Sequence, residues 1–70
     1  MGMRLELHYR PGVTSDRGTY EIYQYEVDIF SRQMVKQCYG GHWDYEIARH
    51  NLVTLALDKM WAIDHICAPH

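Results

Sequence analysis

Between Arg4 and Arg10 the chain alternates strictly, with Leu5, Leu7 and Tyr9 on one side and Arg4, Glu6, His8 and Arg10 on the other. A period of two predicts a half-buried strand. The stretch "PGVTSDRG" that follows, residues 11–18, is loop by its turn chemistry. A second alternating run covers residues 19–30, with Tyr23, Tyr25, Val27 and Ile29 sharing an apolar face and Gln24, Glu26 and Asp28 the opposite one. Tyr20 and Ile22 are out of phase with that set, which predicts either a bulge or a change in what covers the strand. Ser31-Arg32-Gln33 lets the chain turn back. With those residues as the loop, Ile29 faces Val35, Tyr25 faces Tyr39, and Asp28 faces Lys36 as an opposite-charge pair. The third strand is then residues 34–39, ended by Gly40-Gly41.

From Asp44 the period lengthens. Asp44 is suited to cap a helix, Glu46 lies in its first turn, and Trp43 is placed to staple back onto Ala48. Tyr45, Ala48, Leu52, Leu55, Ala56 and Ile63 recur at helical spacing, predicting a helix from residue 45 to about 63. The expected fold is α+β. A three-stranded antiparallel meander is followed by one long C-terminal helix on one face, β-β-β-α, in a single domain spanning residues 3–70. Beside the helical stripe, Val53, Leu57, Met60 and Trp61 form a second apolar patch, more than one small sheet can cover.

Composition narrows the function classes. The 70 residues carry seven basic and nine acidic side chains, a formal net charge of −2, with no block of like charge. A protein that tracks a phosphate backbone shows a basic stripe, so nucleic-acid binding is disfavoured. Six tyrosines against one phenylalanine suit half-buried faces and interfaces more than a deep core. Two cysteines, Cys38 and Cys67, are too few for a secreted disulfide scaffold. No apolar run approaches the roughly 20 residues of a membrane span, and no charged-then-apolar signal opens the chain. Met1-Gly2 reads as an appended pair with Met3 the native start, and the expected location is the cytoplasm.

The hairpin "YEVDIFSRQMVKQCYGG" resembles the first hairpin of the integrase and transposase catalytic core, an RNase-H-like fold, through Asp28, Phe30, Ser31, Arg32 and Val35. The resemblance covers about residues 20–60. In that family three carboxylates hold two metal ions, and the matching region here offers Glu6 alone, so Asp28 carries over as structure and no catalytic role is implied. The β-β-β-α order is also similar to double-stranded-RNA-binding and HicB-antitoxin-like domains, although the helix start, Gly41 to Glu46, lacks their basic character.

Three constellations could carry chemistry. Cys38 and His42, with His65, Cys67 and His70, offer zinc-type ligands, but their spacing matches no standard finger and His70 is expected to fray. They are weak candidates, and the chain is expected to hold no metal and no cofactor. Cys38 with His42 could form a nucleophilic pair near a helix start, with no orienting group evident. His8 reads as a solvated side chain. The expectation is therefore a small non-enzymatic protein-interaction module of the accessory or mobile-element (phage-like) type. It is expected to form a homodimer or bind another protein through Val53, Leu57, Met60 and Trp61. A nucleic-acid-binding module of double-stranded-RNA-binding-like topology is the alternative.

Overall fold

A computed structural model describes residues 2–13, 17–27 and 34–70. The strands β1 (Gly2–Arg10), β2 (Thr19–Val27) and β3 (Met34–His42) precede the helix α1 (Tyr45–Lys59), and a further strand, β4 (Ala62–Ile66), follows it. The order is thus β-β-β-α-β, an α+β fold. The sheet has four strands in the order β3-β2-β1-β4, mixed because β4 runs parallel to β1 while the other pairs are antiparallel.

The missed strand has a local cause. The expected helix to residue 63 ends instead at Met60, whose φ of 58° places it in the left-handed region. Both its N–H and that of Trp61 reach Ala56 O, the latter at 3.0 Å. This is a Schellman-type stop, and it lacks the glycine that would have marked it in the sequence. Ile63, expected on the helical stripe, belongs to β4 and is paired with Leu5. The helix start is as expected: Ile47 N–H donates to Asp44 Oδ1 at 3.1 Å. Trp43, by contrast, is exposed and is not among the apolar side chains packed on the core. The Arg17 guanidinium lies 4.7 Å from the centre of its ring.

β1 and β2 pair without interruption, Leu7 with Ile22 and Tyr9 with Tyr20. Leu5, Leu7, Tyr20 and Ile22 therefore share one face, and α1 covers it with Ala48, Leu52 and Ala56; among the described residues these form the buried core. The apolar face expected for β2 is the wrong one of the two. Tyr23 is cross-strand to Glu6 and Tyr25 to Arg4, so both tyrosines belong to the face that α1 leaves open. Phenols tolerate that half-exposed position because their polar tips remain satisfied there. The phase slip at Tyr20 and Ile22 thus marks a change of cover, with no bulge in β1–β2.

The pairing of β2 with β3 also differs from expectation. Val27 pairs with Met34, Glu26 with Val35 and Tyr25 with Lys36. Tyr25 was expected opposite Tyr39, so the register moves by three positions, an odd number that exchanges the faces of β3. Asp28, Ile29, Phe30 and the loop Ser31–Gln33 lie outside the described residues. Gly40 and Gly41 do not end β3; they lie within it, where the pairing slips between Glu21/Gly41 and Tyr23/Cys38. Gly40 takes a φ of 98° at that slip, a conformation that favours glycine.

The C-terminal tail is pinned. His70 N–H donates to Tyr20 Oη at 2.6 Å, and the His70 ring stacks on Tyr9 with centroids 4.1 Å apart. Tyr45 Oη donates to Cys67 O at 2.8 Å, and Cys67 N–H to Leu7 O at 3.1 Å. The expectation of a frayed His70 is therefore wrong: three tyrosines clasp the tail onto the core.

Candidate functional site: an apolar helix flank and an open sheet face

Two surfaces stand apart from ordinary solvated protein. The first is the flank of α1. A sheet this narrow buries only the stripe Ala48–Leu52–Ala56, so apolar residues one helical step round are left outside. Val53 is 38% exposed, Leu57 75% and Met60, just past the helix end, 91%. A spacing of four residues puts Val53 and Leu57 on one side of the helix, and Met60 follows its last turn. Trp61, the fourth residue expected in this patch, behaves differently. It is half-buried against the core, with its ring edge-on to Tyr39 at 6.1 Å between centroids.

The second surface is the sheet face opposite α1. The i, i+2 spacing along β1 and β2 brings Glu6 beside His8 and Glu21 beside Tyr23. His8 Nε2 and Glu6 Oε1 lie 2.6 Å apart. Four groups converge on Glu21. Tyr23 Oη donates to it at 2.7 Å, Thr19 Oγ1 at 3.4 Å and Cys38 Sγ at 3.5 Å, and Arg10 Nε lies 2.5 Å from Oε1. The Tyr23 hydrogen bond, more than any other contact, holds the Glu21 carboxyl below its ordinary value against the opposing effect of burial. The same bond, with burial and the Glu21 charge, pushes the Tyr23 phenol up to about 12. Burial, and then the Glu6 charge, raises the Tyr25 phenol. His65 on β4 completes the cluster, its ring centroid 5.2 Å from that of His8, which in turn lies 5.7 Å from Tyr23. His8, its side chain 41% exposed, is thus solvated and also in contact with Glu6, Tyr23 and His65. The alternation that placed it on the polar face could not show which neighbours β2 and β4 would supply.

The weak metal candidates are not brought together. Cys38 and His42 belong to β3 and His65 to β4, with Cys67 just beyond it, and these strands are opposite edges of the sheet. Three inter-strand steps separate them, roughly 14 Å. Among the described residues no three His, Cys, Asp or Glu side chains are placed to hold a metal ion. Nor do Cys38 and His42 form a nucleophile and base. Four residues along a strand span about 13 Å, and each has other partners. Cys38 Sγ donates to Glu21, while His42 Nδ1 accepts from Asp44 N–H at 2.9 Å.

No family model, curated protein or solved structure matches this chain. No described helix is long and apolar enough to cross a membrane. Of the residues carrying the integrase-like hairpin pattern, only Val35 is described, and its backbone partner is Glu26.

Proposed function

We propose that this chain is a small non-enzymatic protein-interaction module, of the kind accessory or mobile elements encode, and that it associates through the exposed flank of α1. One observation carries the reading: Val53 and Leu57 on α1 and Met60 just past its end are apolar side chains left outside the core. Contiguous apolar surface of this kind marks association sites more often than plain solvent-facing helix. The proposed arrangement is a twofold homodimer in which two copies of this flank cover each other. A small single-domain core gains much from such association. Leu57, between Val53 and Met60, is the expected anchor; Trp61 is already packed in its own chain.

Capture from a cell lysate with the tagged wild-type chain and with Leu57→Asp tests the reading. The proposal expects the wild type to retain a second copy of itself or one defined protein, and the variant to lose it. Equal retention by both chains would contradict the helix flank as the site. Salt-dependent binding of generic RNA by both would instead favour a nucleic-acid module.

A further inference from the structure

The C-terminal segment is joined to the helix by a connection that its own sequence does not favour. Only Met60 and Trp61 separate the last residue of α1 from the first of β4. Met60 takes a φ of 58°, and among the described residues it is the one non-glycine position in the left-handed region. A Cβ is crowded there. Straightened into helix, the same residues meet no such crowding, and the helical spacing of Leu52, Leu55, Ala56 and Ile63 runs on through the joint. A short connection under strain of this kind favours release of whatever lies beyond it.

What lies beyond it, residues 61–70, has the contacts of a detachable arm. None of its residues belongs to the buried core; Trp61, Ile66 and Cys67 pack against it, while Ala62, Ile63, Asp64 and His65 are exposed. The arm is held mainly by directional contacts to β1, β2 and α1. β4 pairs with β1, and Arg4 reaches Asp64 at 3.0 Å. Cys67 N–H donates to Leu7 O at 3.1 Å, and Tyr45 Oη donates to Cys67 O at 2.8 Å. His70 N–H donates to Tyr20 Oη at 2.6 Å. The arm of a second copy carries the same groups and can make each of these contacts in trans. Exchange between copies therefore keeps the contacts and relieves the joint, which is the condition for swapping an identical element.

We propose that residues 61–70 are an exchange arm: two copies of the chain swap it, each β4 pairing with β1 of the other copy. The proposal rests on the association of the α1 flank. Met60 is both the joint and the exposed end of that flank, so copies that meet there bring their joints to a shared surface. The test mixes isotope-labelled and unlabelled full-length chains in equal amounts, unfolds them in urea and refolds them together at high micromolar concentration. Isotope-filtered nuclear Overhauser signals between labelled and unlabelled chains should link Leu5 and Leu7 with Ile63 and Ile66, and Tyr20 with His70. Met60→Gly, which removes the strain of the closed joint, should weaken these signals several-fold relative to those within one chain. A dimer whose β1–β4 signals arise only within each chain would overturn the exchange and leave the flank association standing. A chain that stays monomeric at this concentration would overturn both. Interchain signals that persist in Leu57→Asp would uphold the exchange and overturn the flank reading, and signals undiminished in Met60→Gly would overturn the exchange through this joint.

Discussion

Met60 holds a left-handed backbone that its own side chain does nothing to favour, since that conformation crowds any Cβ and suits glycine. Met60→Gly should therefore stabilise the chain by about 0.5–1 kcal/mol, measured by urea unfolding. An unchanged or lower midpoint would argue against the helix stop at this residue. Glu21 and Tyr23 give a second test, through pH. The folded Glu21 carboxyl lies below its ordinary 4.5, so its contribution is present above that value and is lost as pH falls through the lower folded one. Tyr23 works in the opposite sense. Raised from 10.0 to about 12, it contributes below pH 10 and loses that contribution as pH climbs toward 12. Unfolding midpoints across both ranges should fall at each end, and Glu21→Gln should flatten the acid limb while Tyr23→Phe flattens the alkaline one. At this scale the Asp44 cap was legible because its signal is local. The Glu21 hub was not, because Cys38 and Arg10 reach it from two other strands.

The helix divides sharply between what it buries and what it exposes. Leu52 is fully buried and Leu57 is 75% exposed. Leu52→Ala should cost about 2–5 kcal/mol as a large-to-small core change. Leu57→Asp should change the stability of the single chain by less than about 0.5 kcal/mol. Thermal or urea unfolding at low concentration separates the two, and comparable costs would mean that the flank is packed within the chain. The helix was legible from its period and its cap. Its end was not: Ile63 continues the helical stripe by spacing alone, and the stop is set by Met60 without glycine. β4 escaped notice for a related reason. It is five residues long and mostly exposed, so it carries no strong alternation. The register of β3 failed through parity. Matching Asp28 with Lys36 satisfied both faces on paper, but the order of polar and apolar residues in β2 does not say that α1 stops short of Gln24 and Glu26. Both are on the core side of the sheet, and Gln24 donates to Met3 Sδ and accepts from Tyr39 Oη.

At the scale of the whole molecule, sheet order determines which residues can act together. Placing β3 and β4 at opposite edges keeps Cys38 and His42 away from His65 and Cys67, whereas placing β4 beside β1 brings His65 to His8. No local pattern reveals a crossover from β3 over two strands to the far edge. The tail clasp is equally non-local, joining Tyr20 to His70 across 50 residues. Tyr20→Phe should release it at a cost of about 0.5–1.5 kcal/mol, seen as a lower urea midpoint with faster amide exchange at residues 67–70. Unaltered exchange there would show that other contacts hold the tail. The same architecture leaves one side of α1 with apolar residues that no strand covers, and the central claim is that this flank is where the chain associates. Sedimentation velocity of the wild type and Leu57→Asp, from low to high micromolar concentration, tests it most directly. The account predicts a concentration-dependent dimer for the wild type and a folded monomer for the variant at every concentration. A wild type that stays monomeric throughout, or a variant that dimerises as the wild type does, would contradict it.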